Sequence, residues 1–255
     1  MTTPASTLPT PDLSDPPTVL CELLDPDQQV RDEFARALAP ELEALAAGLA
    51  ASFAGLPPIV EAATRLSTQR AKLVAGFAIG VLDDLVVATK LLIAGKGPAA
   101  GNTMRQAIEG VAIATLCSAE APLVLERSKK HGAVRACYWE RMDQEHLCTR
   151  GHHALTQLEW NAVTLGVSAD AIERLRAAQR HYHEFSHCGP VTIGLRTALA
   201  GPGVTWIGGH FDAAKLDWYR VEMCERIGLC RVLPEFWAYL RHALMPPASP
   251  AGSVA

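Results

Sequence analysis

The sequence predicts an all-α fold: one helical bundle of about seven to eight helices, flanked by Pro-rich tails. Three observations predict it. Ala and Leu dominate a chain whose residues are 49% hydrophobic, apolar positions recur at helical spacing, and β-branched alternating runs are nearly absent. At 255 residues the chain is long enough to bury a real core. The expected organisation is a disordered tail over 1–19, a bundle domain over 20–245 and a second disordered tail over 246–255, with no internal repeat or linker.

The elements follow in order. Residues 27–53 carry Val30, Phe34, Leu38, Leu42, Leu45 and Leu49 at helical spacing, with Pro40 as a kink or break. Pro57 and Pro58 open a long helix to about Ala94, whose segment 73–94 is apolar enough to raise a membrane span. Asp83, Asp84 and Lys90 argue for a buried core helix instead, because each charge costs about 2.5–3.5 kcal/mol near a bilayer centre. Residues 95–101 form a turn, and a helix capped at Asn102 or Thr103 runs through Ser118, giving an αα-hairpin. Further helices are expected over 122–147, 154–165 and 168–187. A glycine-rich loop follows near 189–209, with room for a short strand pair, and then helices over 211–227 and 233–244.

Charge and cysteine content exclude some classes. A net charge of −4 supplies no global field for nucleic acid. Seven cysteines without a CxxC pair, behind an N-terminus lacking a signal-peptide pattern, read as reduced thiols in a cytoplasmic protein. Neither GxxxxGK[ST] nor GxGxxG occurs.

The segment 168–187 is the most informative. On a helical wheel, Ile172, Leu175, Ala178, Tyr182 and Phe185 form an apolar stripe, and Arg176, Arg180, His183, Glu184 and His187 fall together opposite. With Arg174 this makes a local anion-binding face on an acidic chain. A solvated face of ordinary ion pairs, with Arg180 and Glu184 as i,i+4 partners and histidines meeting the helix dipole, explains the same residues without chemistry.

Three functional readings use this helix. His183-Glu184-Phe185-Ser186-His187 matches HExxH and resembles the zincin metallopeptidases. That resemblance implies zinc on His183 and His187 with Glu184 as base, although no third ligand follows at the family spacing. His210, Glu222 and Glu225 are the available donors for it.

Arg180 and His187 resemble the R-x(4–6)-H motif of HEPN-type helical proteins, many of them metal-independent ribonucleases or abortive-infection toxins. The resemblance implies Arg180 as phosphate holder, His187 as general acid/base, no cofactor, RNA as substrate and a homodimer as assembly, with His181 departing from the usual polar residue after the motif arginine.

Arg105 and Glu109 in MRQAIEGVAIATL, together with Tyr182, Ser186 and His187 in HYHEFSHCGP, resemble uncharacterised bacterial all-helical proteins related to abortive-infection families. This implies Arg105, Glu109, Tyr182 and Ser186 as ligand-binding residues. Separately, Asp84, a carboxylate in an apolar helix that needs a partner, joins them if Asp84, Arg105 and Glu109 project into the pocket of the histidine helix. A structural ion-pair network is the competing reading, with Lys90 in reach of Glu109. A non-catalytic helical interaction module is the remaining class.

Elsewhere, Glu145, His146, Cys148, His152 and His153 crowd one segment without a recognised ligand spacing and read as a polar helix end. The glycine-rich loop reads as a mobile lid with Trp206 and His210 as its contacts. Cys188 adjoins His187, yet neighbouring helical residues point about 100° apart.

Overall fold

The computed structural model describes residues 13–128, 132–199 and 204–245. The proposed tail over 246–255 lies outside the described residues, as does most of the N-terminal one. Residues 16–19 belong to a helix, so that boundary moves toward the N-terminus.

Helix α1 (Pro16–Leu24) starts where the Asp15 carboxylate accepts from the Thr18 N–H at 3.1 Å and Pro16 supplies a preset φ. The run expected over 27–53 is two helices, α2 (Gln28–Ala37) and α3 (Ala39–Gly55), parted at Leu38 ahead of Pro40. The long helix expected from Pro57 is likewise divided. Helix α4 (Pro57–Leu66) ends on Ser67 in the left-handed region (φ 53°), and Thr68 caps α5 (Gln69–Ile93) by accepting from Ala71 N–H.

Helices α5 and α6 (Gly97–Cys117) form the expected hairpin and centre of the molecule, joined through Gly95 at φ 73°. Helix α6 starts at Gly97 with Pro98 in its first turn, so the turn expected over 95–101 is shorter and neither Asn102 nor Thr103 is the cap. Their facing sides bury Val74, Ala78, Val81, Leu85, Ala88, Met104, Ile108 and Leu116. Alanine and glycine on this seam bring the axes close. Gly110 leaves room for Val81, and a Cβ there would lie 3.0 Å from the valine methyl. Among the described residues one segment, Ala39–Leu66, is long and apolar enough by composition to cross a membrane, and it is divided between α3 and α4.

The helix expected over 122–147 is not there. Strands β1 (Leu123–Ser128) and β2 (Gly132–Ala136) pair antiparallel, with Leu123 opposite Ala136 and an irregularity between Val124 and Glu126. Helix α7 (Tyr138–Asp143) and a 3-10 turn (Leu147–Thr149) follow. The physical reason lies in α8 (Gly151–Trp160). Gln157 on α8 and Asn161 just past it, one turn apart, cover the β1 edge with amide groups. Asn161 accepts from Val124 N–H at 2.8 Å and donates to Val124 O at 2.9 Å, while Gln157 donates to Leu125 O at 2.9 Å. The side chains stand in for a third strand and blunt the edge.

After α9 (Ala162–Leu165) and Gly166 at φ 66°, Ser168 caps α10 (Ala169–His183). A 3-10 turn (Glu184–Ser186) and α11 (Pro190–Gly194) lead into the loop, where Thr197 and Thr205 make an isolated antiparallel bridge. The last two expected helices are one, α12 (Leu216–Ala243), which continues through Pro234. Burial of Leu233, Trp237 and Leu240 holds the helix together across the lost backbone bond. Helix α12 lies against α3 with Cys230 over Gly48 and Trp237 over Gly55, and Trp237 Nε1 donates to Ser52 O at 3.0 Å.

Candidate functional site

Helix α10 lies between α6 and α12, and its C-terminal turn brings together most of the residues singled out in the sequence. Phe185 is the wedge. It occupies the space a side chain at Gly101 of α6 would need, and its ring stacks on Trp218 of α12 at 6.3 Å. Only glycine at 101 allows this approach.

The α-helix stops at His183, so HExxH is not one continuous helical turn. Glu184, Phe185 and Ser186 are 3-10, and His187 is extended at φ −131°, ψ 149°. The uniform wheel that placed five polar residues on one face therefore fails beyond His183, because Cys188-Gly189-Pro190 cannot prolong the helix. The chain change still leaves the two exposed imidazoles in edge-to-face contact, with ring centroids 4.9 Å apart. No group of three or more metal-ligating side chains occurs among the described residues. His210 is engaged by Lys215, and Glu222 is enclosed by His181, Tyr182 and Arg226.

The arginines of α10 are not a free anion-binding face. Arg174 pairs with Asp170 at 2.8 Å, Arg176 with Glu159, and Arg180 with Glu173 at 2.8 Å rather than with Glu184. The Arg180 pair is solvated, at 63% and 66% side-chain exposure, where an ion pair contributes about 0–1 kcal/mol.

Arg105 and Glu109 behave differently. Arg105 Nε donates to Glu109 at 2.8 Å, and its Nη1 reaches across to the Ser186 hydroxyl at 2.8 Å. The Arg-x-x-x-Glu turn of α6 is thus tied to the residue immediately before His187. The other Glu109 oxygen closely approaches the place a Cβ would take at Gly151, the first residue of α8, where the helix dipole favours a carboxylate. Lys90 plays no part in this pairing.

Asp84 lies elsewhere. It lines a groove between α5 and α6 with Phe77, Val81, Gln106, Glu109 and Ile113, of about 220 Å³. Burial first, then the neighbouring Asp83, raises its carboxyl above the ordinary range. Asp84 and Glu109 share this groove, but neither Arg105 nor the histidines line it, so the expected common pocket with the histidine helix is not formed.

Sequence reasoning missed the most enclosed polar cluster. Tyr182, expected only as a stripe or ligand residue, donates to Glu222 at 3.2 Å. His181 donates to the other Glu222 oxygen at 2.8 Å, and Arg226 holds Glu222 at 2.9 Å. Glu222 is 1% exposed and Arg226 is fully buried. The Glu222 bond raises the His181 pKa against an opposing desolvation effect. Burial alone would raise Glu222, but its bonds to His181 and Arg226 leave it below the ordinary value. The available signal was Glu222 and Arg226 at i,i+4 on the apolar stripe of Tyr219, Met223, Ile227 and Cys230.

The loop contacts also have a structural reading. His210 is buried, stacks on Trp206 at 5.3 Å and accepts from Lys215 Nζ at 3.4 Å. Burial, then Lys215, brings its pKa down to about 4. His146 Nδ1 approaches Cys148 Sγ at 3.0 Å, and the His152 and His153 rings lie 3.9 Å apart, tilted by 48°.

No protein-family model matches the chain, and neither the curated proteins nor the solved structures compared with it give a match.

Proposed function

We propose that the chain is a HEPN-like, cytoplasmic helical-bundle protein of bacterial defence type that cleaves RNA without a metal at the end of α10. The observation that carries this reading is the pair of exposed imidazoles, His183 and His187, in contact 4.9 Å apart on a turn anchored by Arg105. A general base and a general acid are what a ribose 2′-hydroxyl attack on its own phosphodiester needs. Neutral His187 takes the 2′-hydroxyl proton as the 2′ oxygen bonds to phosphorus. The bond from phosphorus to the 5′ oxygen breaks, and protonated His183 gives its proton to that oxygen. The products are a 2′,3′-cyclic phosphate and a 5′-hydroxyl end.

Arg180 leaves its weak, solvated pair with Glu173 to hold the phosphate in a bidentate fork. Glu184, the residue between the end of α10 and Phe185, is assigned the role of an orienting carboxylate. Arg105, Glu109 and Ser186 are positioning residues, and Tyr182 orients α10 through Glu222.

The test is cleavage of a defined single-stranded RNA in EDTA. His187→Ala and His183→Ala should each lower the rate by about 10²–10⁴-fold, and Arg180→Ala should lower it too. Unchanged rates in the histidine variants, or no cleavage by the wild-type chain, overturn the reading. A second reading, a non-catalytic interaction module, draws on the pairing of Arg174, Arg176 and Arg180 with acidic side chains, and predicts no cleavage at all. The metal-dependent hydrolase through His183, Glu184 and His187 predicts stoichiometric zinc in the purified protein and loss of activity in EDTA.

A further inference from the structure

The groove between α5 and α6 lies apart from the histidines, and its polarity runs in one direction. Helix α5 lines it with Phe77, Gly80, Val81 and Asp84, and α6 with Gln106, Glu109, Gly110 and Ile113. Each set is an i, i+3, i+4, i+7 stripe, so both helices turn one face to the same space. Val81 packs at Gly110, which fixes the register of the antiparallel pair. Asp84 is then level with Gln106 at one end, and Phe77 with Ile113 about 10 Å away, at 1.5 Å rise per residue. One end is polar, the other apolar, and glycine and valine lie between them.

The charge at the polar end is unbalanced. Glu109 is paired with Arg105 at 2.8 Å. Asp84 has neither an ion-pair nor a hydrogen-bond partner among the described residues. Its half-buried carboxylate meets desolvation and the neighbouring Asp83, with no cation to offset either. The space at Gly80 is also left over by the packing. Gly110 must be small because Val81 is there, whereas nothing lies within 4 Å of the place a Cβ would take at Gly80. Glycine inside a helix is destabilising relative to alanine, and at 80 the space it leaves belongs to the groove.

We infer that this groove binds a small organic monocation, a primary amine on an aromatic or branched aliphatic body. The ammonium sits on Asp84, and the body lies over Gly80 toward Phe77 and Ile113. One unpaired carboxylate matches one positive charge. The Gln106 amide oxygen, free of other hydrogen bonds among the described residues, can accept a second ammonium N–H. The volume of about 220 Å³ is below the roughly 300–1,000 Å³ of sites for drug-sized ligands, so the body is a single ring or a short branched chain. The polarity gradient sets the ligand's direction in the groove.

NMR titration of the full chain with 2-phenylethylamine tests this. Saturable amide shifts should centre on residues 77–84 and 106–113, with a Kd of about 0.1–1 mM, as suits so small a ligand. Two comparison probes separate charge from body: 2-phenylethanol keeps the shape without the charge, and ethylamine keeps the charge without the ring. Each should bind about tenfold more weakly or worse. Asp84→Asn, nearly isosteric, should weaken 2-phenylethylamine by about tenfold or more. Gly80→Leu should abolish binding while keeping the melting temperature, because its side chain enters the groove and a better helix former replaces glycine. Should Gly80→Leu fail to fold, Asp84→Asn still decides. Absence of saturable shifts up to about 10 mM overturns the inference. Shifts centred elsewhere on the chain, equal binding of either comparison probe, or an affinity that Asp84→Asn leaves unchanged overturn it as well.

Discussion

Replacing Glu222 by Gln should be among the most destabilising single changes in the protein. The change keeps the shape and removes one negative charge. Among the described residues, Arg226 is then left fully buried with its one acidic partner gone, and its Nε and Nη2 already find no hydrogen-bond acceptor. Breaking a buried pair from one side costs about 3–5 kcal/mol, because the surviving charge keeps its desolvation penalty and loses its compensation. Removing both charges, as Glu222→Met with Arg226→Met, should cost much less than the two single changes summed. The coupling between the sites should be about 2 kcal/mol or more. Urea unfolding of the two singles and the double gives the cycle. NMR titration of His181 gives an independent readout: with Glu222 gone its pKa should fall, since the bond to that carboxylate is the largest cause of its elevation. A cost below about 1 kcal/mol for Glu222→Gln, or additive single and double changes, would refute the reasoning.

Other expectations follow from the same geometry. His210 is buried with its pKa brought down to about 4, so the unfolded chain takes up that proton first. Its contribution is present above the unfolded value near 6.5 and is lost as pH falls from there toward 4, by up to about 3 kcal/mol. Unfolding from pH 7 to pH 4 should therefore show a decline that His210→Phe reduces. Gly101→Ala should destabilise by about 1–3 kcal/mol or shift α10, because its methyl would occupy the place of Phe185; a neutral result in thermal melts would contradict the packing. Asn161→Leu should cost about 2–3 kcal/mol and expose Val124 N–H to hydrogen exchange, since that group and its carbonyl both lose their buried partner.

Much of the candidate site was legible because its parts are local. The Arg-x-x-x-Glu turn and the Tyr-x-x-x-Ser-His segment each stand out within a few residues, and the structure joins them through Arg105 and Ser186. Arg180 was legible as a residue type but not as a free cation. Its partner choice, Glu173 over Glu184, depends on where α10 stops being an α-helix. The β-hairpin over 123–136 was not legible, since a short apolar run suits strand or helix equally until a neighbour supplies edge partners.

Periodicity, caps and breakers in the sequence by themselves determined the all-α class, the pairing of α5 with α6, and the starts of α4 and α10. All of these depend on interactions within a turn or two of chain. Tertiary structure alone decided that Pro234 would be carried inside one helix and that α8 would cover a strand edge. It also placed His181, Tyr182, Glu222 and Arg226 in one buried cluster. Those outcomes depend on desolvation and on partners distant in sequence, and a charge on an apolar stripe does not name the residue that will neutralise it.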